Sequence, residues 1–194
     1  RQVQWDAALE VVEMFQAGNK VVWLDGPPGS GKTFLADLVA RLLNHRAVYV
    51  ATTKHLQDQA VAEIPYARLL KGRQNYPTQM GELWPEVTCE DCTYRLGKCE
   101  LCTEPDECEY RVAKQEAAGA QLAVLNTAYW LREVAGIKSA FSRPSVPGAI
   151  DPKLRAGGFV VVDECDTLEK VLLGYVEFII GERRMRELGT IAPK

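Results

Sequence analysis

Three observations predict an α/β fold, a parallel sheet flanked by helices. Short apolar runs of strand length alternate with segments of helical periodicity. A glycine-rich loop ends the first such run, and an Asp-Glu pair ends the last. The 194 residues suffice for one sizeable core and a small insertion. A hydrophobic fraction of 47% fits a globular protein, and a net charge of −3 argues against wholesale attraction to nucleic acid while leaving room for a local basic groove. No apolar run approaches the ~18 residues of a membrane span, and no charged-then-apolar leader opens the chain, so a cytoplasmic protein is expected. The first residue is Arg1 rather than Met, so an upstream segment is expected.

Taken in order, residues 5–17 place Leu9, Val12 and Phe15 at helical spacing, and Gly18-Asn19 ends that helix. Lys20 to Leu24 is an apolar run feeding the Asp25-Gly26 turn, and predicts a buried strand. A helix follows over 32–43, a second buried strand over 47–51, a helix over 54–63 and a short strand over 67–70. From Gly72 to about Pro105 periodicity fails and turn residues dominate. A helix resumes over 107–118, then a strand over 121–125 and a helix over 127–134. Residues 136–158, with Pro144, Pro147 and Pro152 and several glycines, predict a loop. Phe159 to Val162 are all β-formers and predict a strand; residues 166–187 are helical in pattern, with a break expected at Gly174 or Gly181. No internal repeat is present.

Gly26-Pro27-Pro28-Gly29-Ser30-Gly31-Lys32-Thr33 fits the phosphate-loop pattern G-x-x-x-x-G-K-[ST]. The glycines let backbone N–H groups curl around phosphates, Lys32 reaches the β and γ oxygens, and Thr33 offers a hydroxyl to Mg²⁺. Asp163-Glu164 follows the Val160-Val161-Val162 run: a carboxylate there can hold Mg²⁺ through water, and its neighbour can polarise an attacking water. Together these motifs predict a RecA-like P-loop core. Asp166 also suits a helix N-cap, and Cys165 reads as a small buried residue on the strand-to-helix turn. Thr52-Thr53-Lys54 after the second strand suits contact with a nucleic-acid backbone, or equally an N-cap at Thr53. Lys71-Gly72-Arg73-Gln74-Asn75-Tyr76 combines two cations with an aromatic, which suits single-strand binding.

Five of the six cysteines crowd into one stretch, Cys89, Cys92, Cys99, Cys102 and Cys108, spaced C-x2-C-x6-C-x2-C-x5-C. In a chain that needs a nucleotide, reduced metal-binding thiolates are expected rather than disulfides. Two C-x2-C pairs, Cys89/Cys92 and Cys99/Cys102, could hold a tetrahedral Zn²⁺, which would leave Cys108 aside. A [4Fe-4S] cluster also takes four thiolates, and spacing does not choose between them. Residues 89–110 carry seven acidic side chains against Arg95 and Lys98, a solvated face rather than a phosphate-gripping one.

From Arg1 to about Glu169 the chain resembles the XPD/DinG iron–sulfur DNA helicases of superfamily 2. Arg1-x-x-Gln4 looks like that family's Q-motif, Gly26 to Thr33 like motif I and Val48 to Gln59 like motif Ia. Leu70 to Tyr76 is similar to the lead-in to the cluster, and Cys108-Glu109-Tyr110 to the segment carrying the last ligand. Val124 to Tyr129 resembles the Asn-His/Tyr segment, and Val161 to Asp166 motif II. Two departures stand out. Thr78 sits where the first cluster cysteine is usual, and motif II reads Asp-Glu-Cys-Asp.

The resemblance implies an ATP-dependent helicase lobe that tracks single-stranded or forked DNA, 5′ to 3′. ATP and Mg²⁺ would be its cofactors, beside a structural [4Fe-4S] cluster, with Zn²⁺ as the alternative. It implies an adenine contact by Gln4, phosphate contacts by Gly26, Pro27, Pro28, Gly29, Ser30, Gly31, Lys32 and Thr33, Mg²⁺ at Thr33 and Asp163, and catalysis by Lys32, Asp163 and Glu164. The cluster ligands would be Cys92, Cys99, Cys102 and Cys108, with Cys89 as the alternative to Cys92. The lobe is expected to run over 1–71 and 111–168, interrupted by a cysteine insertion over 72–110. Residues 169–194 would begin a helical insertion. A second RecA-like lobe is expected beyond Lys194, so that the chain is an N-terminal fragment; the compact cysteine spacing looks like the phage-encoded branch, which would work in a bacterial host's cytoplasm. A non-motor P-loop module with a zinc-binding insertion is the other reading.

Overall fold

The structure is a computed structural model. It describes residues 2–27, 29–80, 83–92, 94–95, 98–99, 101, 104–135 and 158–176. The chain folds as two compact units, Arg1–Glu164 and Cys165–Lys194.

The first unit is built on a parallel sheet of β1 (Arg46–Ala51), β2 (Arg68–Leu70), β5 (Leu122–Asn126) and β6 (Gly158–Val162), in the order β2-β5-β1-β6. The register sets Tyr49 beside Val124 on one side and Val161 on the other. Alternate residues of a strand face opposite ways, and β1 shows the consequence. Ala47, Tyr49 and Ala51 pack with α2 (Lys32–Leu43) and α3 (Lys54–Glu63). Val48 and Val50 pack with α4 (Glu109–Gly119) and α5 (Thr127–Ala135). Helix α1 (Gln2–Gln16) covers α2 through Ala8 and Val12 against Leu35 and Val39, with Phe15 tilted onto Phe159, ring centroids 5.9 Å apart. Gly18, at φ 93°, lets the chain turn just after α1.

The helix expected over 166–187 is described only as far as Val176; the other predicted helices and strands fall within a few residues of their places, with one exception. Lys20 to Leu24 is not a strand: residues 21–27 have no regular structure, and Val21, Trp23 and Leu24 are exposed. A strand needs a ladder partner for its N–H and C=O groups, and no described strand offers one to this run. For a related reason β6 is less buried than its sequence predicts. It pairs with β1 alone among the described residues, and Val160 stands exposed.

Between β2 and α4 the cysteine segment has turns, a 3-10 turn at Arg73–Asn75 and a short antiparallel pair, β3 (Tyr94–Arg95) with β4 (Lys98–Cys99). The expected loop over 136–158 lies outside the described residues except for Gly158, which opens β6. In the second unit a 3-10 turn at Cys165–Thr167 leads into α6 (Leu168–Val176). Helix α6 runs through Gly174 unbroken, and Gly181 lies outside the described residues. Cys165 is a half-buried free thiol rather than a buried one, because it sits on that turn and not in the sheet. No described helix is long and apolar enough to cross a membrane.

Candidate active site

The phosphate loop is shaped by backbone freedom. Gly29 and Gly31 adopt φ of 76° and 80°, a region closed to most side chains. Gly31 is also the N-cap of α2 and supplies no side-chain cap, so the first N–H groups of α2 are free of a side-chain cap. A helix start of this kind favours an anion. Lys32 folds back and donates from Nζ to the Gly26 carbonyl at 2.8 Å. Pro28 lies outside the described residues. Gln4 reaches the loop from α1, donating from Nε2 to the Ser30 carbonyl at 2.8 Å, and a Cβ at Gly31 would run into its amide. Gln4, expected to contact adenine, is thus tied to the phosphate loop.

The other half of the site comes from the C-terminal ends of β1 and β6. The Asp163 N–H donates to the Val50 carbonyl at 2.9 Å, carrying the parallel pairing one step past β6. Its Oδ1 accepts the Glu164 N–H at 3.0 Å, and its Oδ2 accepts the Tyr49 hydroxyl at 2.7 Å. The same hydroxyl lies 3.2 Å from Thr33 Oγ1. Burial pushes the Tyr49 phenol well above its usual range. The Thr33 hydrogen bond pulls it down, and the bond to Asp163 and that carboxylate's charge add to the rise. Sequence reasoning passed over Tyr49 as a strand residue; a polar-tipped aromatic among Ala and Val in a buried run was the available signal. Glu164 has a left-handed backbone, φ 49°, and its Oε2 accepts the Thr52 hydroxyl at 2.9 Å. Thr53 is the N-cap of α3, accepting the Leu56 N–H at 3.3 Å.

The cations expected to grip a strand of nucleic acid are engaged within the chain. Lys54 donates to Asn75 Oδ1 at 2.8 Å and Lys71 pairs with Asp58 at 2.9 Å. Arg73 donates to the Cys92 carbonyl and lies over the Tyr110 ring, 5.7 Å from its centroid. Tyr76 is packed edge-on against Tyr110, and its hydroxyl accepts the Lys71 N–H at 3.1 Å. The segment 71–76 is therefore the joint between sheet and cysteine module, not an open stacking platform. Tyr110 and Tyr129 complete the joint with a 2.8 Å hydroxyl contact.

Within the module, Cys89, Cys92 and Cys108 are all buried. The Cys89 and Cys108 sulfurs lie 3.7 Å apart against Tyr76 and Tyr110. Cys89 and Cys108 are thiols. Cys99 is described only as backbone in β4, and Cys102 lies outside the described residues. Thr78, at the position where a cysteine was expected, is buried and donates to the Val87 carbonyl at 3.5 Å. Among the described residues no group of three or more His, Cys, Asp or Glu side chains forms a metal site.

A family profile described as type III restriction enzyme, res subunit, matches residues 1–166. No curated protein and no solved structure gives a significant match. The matched span takes in the phosphate loop, the whole parallel sheet and the Asp163-Glu164 pair. It brings an ATP-binding domain of the superfamily 2 helicase kind, the broader class within which the XPD/DinG resemblance falls.

Proposed function

Since the chain belongs to the type III restriction enzyme res-subunit family, we propose that it is the ATP-hydrolysing lobe of a DNA helicase. One observation carries this reading. Thr33 at the start of α2 and Asp163 after β6 converge on the single Tyr49 hydroxyl. A P-loop hydroxyl and a strand-end carboxylate brought together in this way are the two protein groups that Mg²⁺·ATP requires, the remaining oxygens coming from phosphates and water.

The proposed chemistry is in-line attack of water on the γ-phosphate. The N–H groups at the start of α2 and the glycine-rich loop cradle the phosphates. Lys32 exchanges the Gly26 carbonyl for phosphate oxygens and offsets the charge that develops there. Thr33 and Asp163 would hold Mg²⁺, and Glu164, released from Thr52, would orient the water. A second RecA-like lobe would complete the site, and single-stranded or forked DNA would run across the ends of the strands.

The finer reading, a 5′–3′ helicase with a [4Fe-4S] cluster, is supported by the order of XPD/DinG-like motifs. Cys108 would be one ligand, beside Cys99, Cys102 and either Cys92 or Cys89. A second reading, zinc, draws on a specific distance. Two thiolates on one tetrahedral zinc lie about 3.8 Å apart, from Zn–S bonds of about 2.3 Å, and Cys89 and Cys108 are 3.7 Å apart. Metal analysis of anaerobically purified protein separates these: broad absorbance near about 400 nm with bound iron, or a colourless protein with stoichiometric zinc.

ATP hydrolysis measured with and without single-stranded DNA tests the motor. Stimulation by DNA is the expected result. Hydrolysis indifferent to DNA would favour a non-motor nucleotide-binding module instead.

A further inference from the structure

The Tyr49 hydroxyl has one hydrogen, and it goes to Asp163 Oδ2 at 2.7 Å, since a carboxylate can only accept. The 3.2 Å contact with Thr33 Oγ1 is therefore made by the Thr33 hydrogen, and Tyr49 accepts it. The result is a relay with a fixed sense, from Thr33 to Tyr49 to Asp163. It leaves the Thr33 oxygen with its lone pairs turned away from the tyrosine, the condition a hydroxyl must meet to coordinate a cation. At the other end both Asp163 oxygens are held, Oδ1 by the Glu164 N–H and Oδ2 by the phenol. The ring itself cannot swing. It is 2% exposed, in the middle of β1 and packed among residues of α2, α3 and β5.

We propose that Tyr49 is a positioning residue for the Mg²⁺ of the nucleotide site, orienting the Thr33 hydroxyl and the Asp163 carboxylate together from inside the sheet. This rests on the reading of Thr33 and Asp163 as the Mg²⁺ groups. Tyr49 does not touch the ion or the nucleotide; it acts through its two neighbours, as outer partners of metal ligands generally do. Both ligands would be fixed before the ion arrives, so that Mg²⁺ binds an arrangement that is already assembled.

The experiment compares wild type with Tyr49→Phe, which keeps the ring in the core and deletes only the hydroxyl. ATP affinity is measured in EDTA, then again across a Mg²⁺ titration. Wild type should gain affinity as Mg²⁺ is added. In Tyr49→Phe the affinity in EDTA should be unchanged, while the Mg²⁺ midpoint moves up about tenfold or more, the usual effect of losing an outer partner of a metal ligand. An unchanged midpoint would overturn the proposal, and so would an equal loss of affinity with and without Mg²⁺, which marks a purely structural tyrosine. A wild-type chain whose ATP binding ignores Mg²⁺ would instead remove the underlying reading of Thr33 and Asp163. Thermal melts of both proteins show whether the Phe variant keeps its fold. If it does not, Tyr49→His at high pH, where a neutral imidazole can still donate to Asp163, should restore part of the Mg²⁺ response; no restoration would also count against the proposal.

Discussion

The nucleotide site and the cysteine module are organised in opposite ways. Around its glycine loop, the first is framed by regular structure: a helix N-terminus, the ends of two adjacent parallel strands and a tyrosine locked in the sheet. Among the described residues of the second, Cys89 sits on a turn, Cys92 in irregular chain and Cys99 on a strand of two residues, and Cys108 alone is the N-cap of a helix, α4. Among the described residues, the module is fastened to the sheet through Arg73, Tyr76, Tyr110 and Tyr129. A sheet supplies its own scaffold, because backbone pairing and apolar packing fix the strand ends. A polar segment with few apolar anchors gains order from what joins its sulfurs. The nucleotide site should therefore survive changes that dismantle the module.

The most severe test of that contrast is Glu164→Gln. It removes the group proposed to orient water and leaves every cysteine in place. ATP turnover should fall about a hundredfold or more, the usual weight of a positioned acid–base group, with metal content unchanged. Steady-state hydrolysis and metal analysis on the same preparation check both halves. Next in size, Cys108→Ser should cost most of the metal proposed for the module and raise its sensitivity to proteases, while ATP affinity stays within about twofold of wild type, a surface-like disturbance. Limited proteolysis and a nucleotide titration read this out, and collapse of ATP binding would mean that the two regions are not independent. The smallest effect is expected at the joint. Tyr129→Phe deletes one side of the 2.8 Å hydroxyl contact with Tyr110. It should lower stability by about 1 kcal/mol and shift Tm by a few degrees, as scanning calorimetry would show, without altering either site.

How much could be read in advance follows the same division. The phosphate loop and the helix after it were legible, because the loop needs glycines at left-handed positions and the helix needs its apolar stripe. The Asp163-Glu164 pair was legible from the β-forming run before it. Lys20 to Leu24 misled, since a run of β-formers reports a preference and not the presence of a neighbouring strand. The 71–76 segment was legible only in part: its cations and aromatic are real, but Asp58 and Tyr110, which engage Lys71 and Arg73, are recognisable only in three dimensions. Tyr49 stood out only as a polar-tipped aromatic in a buried run, because strand periodicity tells which face a side chain takes, not what waits on that face.

Glu164 carries one further consequence. Its φ of 49° places a side chain where L-residues other than Asn and Asp seldom go, a conformation that costs about 1 kcal/mol or more. Glycine would sit there at ease, so the fold on its own account would discard this carboxylate. Its presence there is what a need for the proposed carboxylate would explain. In copies of this domain released from the need to hydrolyse ATP, position 164 should be among the first to drift, and it should drift towards Gly or Asn. Such copies would be slightly more stable for the change.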